Sequence, residues 1–250
     1  ECLESLYQIA YPNYDVIVVD NGSDDESIEK IKEWAKGKMK VKSKFFEYNS
    51  MNKPIRYIEY DRETVETKEG KEIQDLPSDR KMVIIGNEKN YGFAEGNNIG
   101  MRYALRALNP DYILLLNNDT VVESKFLSEL VEVAKGDEKI GIVGPSIYLF
   151  NEPDKLQFEW KYKKINIPTE DYSLSGCVFL IKSSLVNIVG LLDPAYFLYY
   201  EENDYFARAK KNGYKVKYVP TKNKVLHKVS ASVNKVSELQ TYYMTKNRFL

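Results

Sequence analysis

The sequence predicts an α/β fold: a mixed, mostly parallel sheet with helices on both faces. Three stretches carry that prediction. Val16-Ile-Val-Val19, Met82-Val-Ile-Ile85 and Ile113-Leu-Leu-Leu116 are apolar without alternation, as expected of strands covered on both faces by helices in a parallel sheet. Each is followed by a polar turn and then by a segment of helical period. Ligands of open α/β sheets lie outside the carboxyl ends of the strands, so Asp20 and Asn117-Asn118-Asp119, which end two of these runs, fall at a functional edge.

At 250 residues, 43% hydrophobic and 29% charged, the chain is long enough for one large α/β domain over residues 1–250. Its 36 Lys and Arg against 37 Asp and Glu give a formal net charge of -1, which argues against nucleic acid as a partner. Cys2 and Cys177 are too few for a disulfide framework and fit a reducing compartment. No apolar run approaches the ~18 residues of a membrane span.

In chain order, Leu3, Leu6 and Ile9 have helical spacing and read as the second half of a helix whose first half and preceding strand are expected upstream of Glu1. After the first strand, Ser23 with Glu26 three residues on forms a capping box, and Ile28, Ile31 and Ala35 carry one helical face to a stop at Gly37. Asp20 can accept a hydrogen bond from a nucleobase or ribose, or close an Asx-turn onto Gly22 or Ser23. Residues 38–81 are rich in Lys, Glu and Tyr and read as an insertion and a flap, with strand character over Ile55-Arg-Tyr-Ile-Glu-Tyr60 and a hairpin turn at Glu69-Gly70-Lys71. Asn90-Tyr-Gly-Phe-Ala-Glu-Gly-Asn-Asn98 then opens a helix with Met101, Ala104, Leu105 and Leu108 along one face. Gly92 and Gly96 permit close backbone approach near that helix N-terminus, which favours phosphate or hydroxyl groups, but no Gly-Lys-Ser/Thr follows as in a P-loop.

Asp119 can serve a hard cation shared with a diphosphate, or serve only the turn. The next helix is capped by Ser124, faces Leu127, Leu130, Val131 and Ala134 inward and ends at Gly136. Ile140-Gly-Ile-Val143 and Ser175-Gly-Cys-Val-Phe-Leu-Ile181 are further strands, and Gly176 leaves room for a substrate against the backbone. Glu201, Glu202 and Asp204 crowd the start of a helix carrying Phe206, Ala209 and Lys210 to a Gly213 cap. The helix dipole accounts for one or two of these acids; crowded carboxylates raise one another's pKa, which suits a general base. Lys215-Val-Lys-Tyr-Val219 has the look of an edge strand stopped by Pro220, and His227, the only histidine, falls in a loop-like stretch. His227 is structural by default and a ligand only if it reaches Asp119.

Taken together, Val18-Val-Asp20-Asn-Gly-Ser23, Asn90-x-Gly92-Phe-Ala-x-Gly96-Asn-Asn98, Leu116-Asn-Asn-Asp119, Ser175-Gly176, Gly190-Leu-Leu-Asp193, Tyr200-Glu-Glu-x-Asp204 and His227-Lys resemble the family-2 GT-A glycosyltransferases, particularly their rhamnosyltransferase-like branch. The resemblance implies a Rossmann-like GT-A fold. It also implies an inverting, metal-dependent transfer of a hexosyl or rhamnosyl group from a dTDP-, UDP- or GDP-sugar to a saccharide, lipid-linked or protein acceptor, in glycan or cell-envelope biosynthesis. Mg2+ or Mn2+ would neutralise the leaving diphosphate. By position, Asp20 matches the residue that recognises base or ribose, with Asn21, Ser23, Asn90, Gly92, Gly96, Asn98, Asn117 and Asn118 on the donor side. Asp119 matches the metal-binding Asp of the Asp-x-Asp motif, and His227 a histidine that helps hold the metal or diphosphate. Glu202 matches the acceptor-activating base with Asp204 beside it, while Gly176 and Glu201 face the acceptor. Two departures stand out: Asp-x-Asp reads Asn117-Asn118-Asp119, and the base is Glu where Asp is frequent. The expected setting is the cytoplasm, with peripheral association at the inner face of a membrane. A sugar-phosphate nucleotidyltransferase and a non-catalytic carbohydrate-binding domain derived from a transferase are the alternative readings.

Overall fold

A computed structural model describes residues 1–67, 76–171, 173–228 and 237–250. The chain divides into two compact units, one of residues 12–110 and one of residues 1–11 with 111–250. Helix α1 (Cys2–Leu6) opens the second of these. It buries Glu4 and Ser5 and leaves Leu3 and Leu6 half-buried, and Ser5 Oγ accepts the Val122 N–H at 3.1 Å.

The unit of residues 12–110 contains β1 (Ile17–Asp20), α2 (Ser27–Ala35), β2 (Arg56–Asp61), α3 (Arg62–Thr67), β3 (Lys81–Gly86) and α4 (Gly92–Tyr103). Its sheet has the order β1-β3-β2 and is parallel throughout. The central strand buries Met82, Val83, Ile84 and Ile85, as its unbroken apolar run predicts. Tyr60, Val65, Ile99 and Tyr103 complete a core against Val83 and Ile85. Helix α4 runs into a π-helical turn (Ala104–Leu108) that ends at Asn109 in a left-handed conformation, φ 46°.

Two expectations change here. Helix α2 begins at Ser27, whose N–H is bound by Asp25 Oδ1 at 2.9 Å, so the capping box at Ser23 does not form; the Ser23 N–H instead donates to Asp20 Oδ2 at 3.2 Å. The strand character near residue 58 is real, but β2 is a parallel edge strand of the sheet rather than part of a flap. Its polar composition reflects the edge, where charged side chains are tolerated. The hairpin expected at Glu69-Gly70-Lys71 lies outside the described residues.

The other unit continues with β4 (Tyr112–Leu116), β5 (Thr120–Val122), α5 (Phe126–Lys135), β6 (Ile140–Pro145), β7 (Ile147–Leu149), α6 (Glu159–Tyr162) and β8 (Thr169–Glu170). It then runs through β9 (Val178–Lys182), α7 (Ser183–Val189), α8 (Glu201–Lys211), β10 (Lys215–Val219), β11 (Val225–His227) and α9 (Ser237–Lys246), ending in a 3-10 turn (Asn247–Phe249). Among the described residues it holds a sheet of order β4-β9-β6-β10-β8 and a smaller one of order β5-β11-β7.

In this unit pairing is mixed. Strand β4 runs antiparallel to β9, against the parallel neighbours its sequence predicts. Ile113 and Leu115 are buried and Leu114 and Leu116 half-buried, so the apolar run reports cover on both faces and not strand direction. Strand β10 is not an edge: it lies between β6, parallel, and the two-residue β8, antiparallel. Its lysines misled because their stems bury while a head reaches a carboxylate, Lys215 Nζ meeting Asp137 at 2.8 Å. Helix α5 buries Leu127, Leu130, Val131 and Ala134 as expected, but its cap is Lys125 rather than Ser124. No helix among the described residues is long and apolar enough to cross a membrane.

Candidate functional site

Strand β4 ends in a turn over residues 117–120, and the backbone closes it: Asn117 O accepts from Thr120 Oγ1 at 2.7 Å, and Asn117 N–H donates to Cys177 O at 2.8 Å. Thr120 is fully buried and Asn118 exposed, which leaves Asp119 half-buried at the corner. Strand β11 pairs antiparallel with β5 in a register that sets His227 opposite Thr120, and Lys228 N–H donates to Asp119 O at 3.0 Å. That register, not proximity in sequence, brings His227 Nε2 to 3.3 Å from Asp119 Oδ1. His227 is therefore on a strand, not in a loop.

The two side chains perturb each other. Burial pulls the His227 imidazole down, but the Asp119 carboxylate and the Cys177 thiol outweigh it and raise it to about 10. Burial pushes Asp119 up, and His227 and Lys228 more than reverse that, holding it below the usual carboxylate range. His227 Nδ1 is in turn oriented by Gln157 Oε1 at 2.9 Å. Asp119 Oδ1 nevertheless is buried without a hydrogen-bond partner, since the contact to His227 has the distance of an ion pair but not hydrogen-bond geometry. A buried, unsatisfied carboxylate oxygen beside an imidazole nitrogen fits a divalent cation. Among the described residues no group of three His, Cys, Asp or Glu side chains could hold one by itself, so other ligands would have to come from water and a diphosphate.

The acidic cluster is positioned by α8. Phe206 on this helix meets Phe179 of β9 edge-on, with ring centroids 5.3 Å apart, and both rings are fully buried. Burying two such rings contributes roughly 3–6 kcal/mol and fixes the helix on the strand. The start of α8 then comes beside the turn before β9: a Cβ added at Gly176 would stand 3.3 Å from the Glu202 carboxyl carbon. Glycine at 176 is what allows the Glu202 carboxylate to lie against backbone.

Glu201 is buried and Glu202 half-buried. Burial raises both carboxyls; the charge of Glu202 adds to this at Glu201, which reaches about 8. Oε2 of each is buried without a hydrogen-bond partner. Asp204 is engaged differently: its Oδ2 accepts from Arg208 Nε at 2.7 Å, and Arg208 Nη1 donates to Val189 O at the end of α7 at 2.9 Å.

The remaining predicted residues, Asp20, Asn21, Ser23, Asn90, Gly92, Gly96 and Asn98, belong to the unit of residues 12–110. There the asparagines wire the turn after β1 to the start of α4. Asn21 Nδ2 donates to Asn90 Oδ1 (3.0 Å) and Gly92 O (2.9 Å), while its Oδ1 accepts from Tyr91 N–H (3.2 Å) and Asn87 Nδ2 (3.1 Å). Both donors and both lone pairs of that amide are thus occupied. Asn90 Oδ1 also accepts the Gly92 N–H at 2.8 Å, capping α4. Gly22, with φ 76°, passes so close to Lys89 that an added Cβ would be 2.4 Å from its carbonyl carbon. Gly96 leaves space for Asn21, whose Nδ2 would be 2.9 Å from a Cβ there. Asn98 is buried and donates to Glu95 at 3.4 Å.

Sequence reasoning missed Gln157, Cys177 and Asn87. Gln157 lies where the sequence shows no clean period, and Asn87 is a single amide after a strand, so neither carried a signal apart from the fold.

Residues 60–248 match the family described as glycosyltransferase like family 2, and residues 1–57 match glycosyl transferase family 2. The low-salt glycan biosynthesis hexosyltransferase Agl10 of Haloferax volcanii is 25% identical over 74% of this chain and 65% of its own. The dTDP-rhamnosyl transferase RfbF of Shigella flexneri is 24% identical over 68% of this chain and 62% of its own. Among solved structures, the mannosyltransferase PcManGT from Pyrobaculum calidifontis, in complex with GDP-Man and Mn2+, superposes over 92% of this chain and 53% of its own, with a TM-score of 0.61 at 14% identity. The chain thus spans less than two thirds of the length of each of these proteins.

Proposed function

The chain belongs to the glycosyltransferase like family 2, and from that membership we propose that it transfers a hexosyl or rhamnosyl group, with inversion, from a nucleoside diphosphate sugar to an acceptor hydroxyl in glycan or cell-envelope biosynthesis. The observation that carries this reading is the pairing, within one unit, of a buried carboxylate oxygen without a hydrogen-bond partner at Asp119 and a carboxyl pair at Glu201 and Glu202 whose Oε2 atoms are buried without one either. Such chemistry needs one place that tolerates a cation and another that takes a proton.

Asp119, with His227 once its Nε2 proton is released, would hold Mg2+ or Mn2+, which when bound neutralises charge on a diphosphate leaving group. The relatives support a metal and a nucleotide sugar as partners: PcManGT was solved with GDP-Man and Mn2+, and RfbF is named for dTDP-rhamnose transfer. Glu202 takes the proton of the acceptor hydroxyl at its Oε2, which has no hydrogen-bond partner, and burial beside Glu201 raises its affinity for that proton. Gly176 and Glu201 border the acceptor. Asp204 acts through Arg208 to hold the first turn of α8. In the unit of residues 12–110, Asp20 and Ser23 are the candidates for the nucleoside, and Asn21, Asn90, Gly92, Gly96 and Asn98 keep the turn after β1 in shape; in the other unit, Asn117 and Asn118 are the candidates for the sugar diphosphate. The acceptor is a saccharide, lipid-linked or protein hydroxyl, reached from the cytoplasmic face of a membrane by peripheral association.

The test is calorimetry of UDP, dTDP and GDP with and without Mn2+, followed by a transfer screen with the matching sugars. Mn2+-dependent binding of one nucleotide that Asp119→Ala abolishes is the expected result. Equal binding with and without metal overturns the metal assignment, and binding without transfer to any acceptor points to the non-catalytic reading.

A further inference from the structure

Residues 197–200, which lead into Glu201, are gripped from the other end of the sequence. Tyr199 and Tyr200 both have left-handed backbones, with φ 69° and 73°. A side chain with a Cβ disfavours that conformation on the order of ten-fold per residue, and two in succession persist only where surrounding groups impose them. The group that does so here is Asn247, which is buried at 4% exposure; its Nδ2 donates to Leu198 O at 2.9 Å and to Tyr199 O at 2.7 Å. Beside it Arg248 Nε donates to Tyr200 Oη at 3.2 Å, and Tyr243 stacks on Phe197 with centroids 5.1 Å apart and 16° between the planes. Helix α9 and the turn after it therefore touch each of the four residues before the carboxyl pair. A plain anchor for the last helix would need only one of these contacts, and would not need its amide spent on the two carbonyls that flank the start of a left-handed turn.

We propose that Asn247 is a positioning residue for sugar transfer: its amide locks the left-handed turn at Tyr199 and Tyr200, and that turn sets where the Glu201 and Glu202 side chains lie. This rests on the reading of Glu202 as the acceptor-activating base, and the experiment separates the two claims.

The experiment is a double-substitution cycle of Asn247→Ala with Tyr199→Gly, since glycine takes a positive φ without steric cost. Asn247→Ala alone lowers kcat at least ten-fold and leaves the donor KM within two-fold. Made on top of Tyr199→Gly, it lowers kcat less than three-fold. Thermal melting of the same four proteins reads the lock without any donor: the fall in Tm caused by Asn247→Ala shrinks by half or more in the Tyr199→Gly background. Equal falls in both backgrounds overturn the lock, whatever the protein transfers. A lock seen in melting together with unchanged kcat overturns the role in catalysis. If no donor supports transfer, the reading of Glu202 fails and melting alone decides the lock. Should Asn247→Ala not fold, Arg248→Ala at an exposed residue removes only the Tyr200 contact; a two- to five-fold loss of kcat that vanishes on Tyr200→Phe supports the proposal, and an equal loss in both backgrounds overturns it.

Discussion

On the proposed reading Glu202 is the base, and burial beside Glu201 raises its carboxyl above the ordinary value, which strengthens it as a proton acceptor. Glu202→Gln keeps the shape and removes the basicity, so transfer falls at least ~100-fold while calorimetric nucleotide affinity stays within about three-fold. The pair also makes stability depend on pH. Glu201 reaches about 8 when folded, above its ordinary value of 4.5, so the folded state holds a proton that the unfolded chain releases. The stability it contributes is present in full below about 4.5 and is lost as pH rises through about 8. Melting at pH 5.5 and 8.5 should therefore give the lower Tm at the higher pH, and Glu201→Gln should reduce that difference; a difference unaffected by the substitution would show that other groups cause it. At this scale the acids were legible in sequence because three within four residues exceed what a helix start explains. That burial raises both carboxyls was not, because it depends on segments distant in the chain.

Elements decide which of these side chains can work together. The turn after β1 is held by the saturated amide of Asn21, so Asn21→Ala leaves the Tyr91 N–H and Asn87 Nδ2 without that acceptor and should cost about 1–3 kcal/mol in denaturant unfolding. A loss of nucleotide affinity with stability unchanged would instead mean that Asn21 addresses the ligand directly. The existence of most elements was readable: β1, β3, β4, α4, α5 and α8 all fall where the apolar period places them. Their pairing was not. Burial pattern reports how many faces of a strand are covered, and β4 has the same pattern beside antiparallel β9 as it would beside a parallel neighbour. The two-residue β8, which turns β10 from an edge into an interior strand, is too short to leave a periodic trace.

For the molecule as a whole, one unit is continuous in sequence and the other is assembled from residues 1–11 and 111–250. Ser5 and Cys2 thereby meet residues 120–122, more than a hundred positions away: Ser5 Oγ accepts the Val122 N–H, and Cys2 Sγ lies 3.6 Å from Thr120 Oγ1. A ligand that binds only the folded chain stabilises all of it by mass action. A nucleoside diphosphate at about 100 times its dissociation constant, with Mn2+, should add about 2.7 kcal/mol, which is roughly 5–10 °C in Tm for a chain of this size. Asp119→Ala should remove that gain, and a gain of the same size without Mn2+ would contradict a metal-bridged diphosphate.

By itself the sequence determined the α/β class, the family and the identities of Asp20, Asp119, Glu202 and His227 as candidates, because strand-end acids and helix-start clusters are local patterns. Tertiary structure alone decided that His227 stands 3.3 Å from Asp119, through the register of β11 on β5, and that Asn247 grips the turn before Glu201. The physical reason is range: periodicity and caps are set by neighbours within a few residues, whereas strand register and the satisfaction of buried carbonyls are settled between segments far apart in the chain.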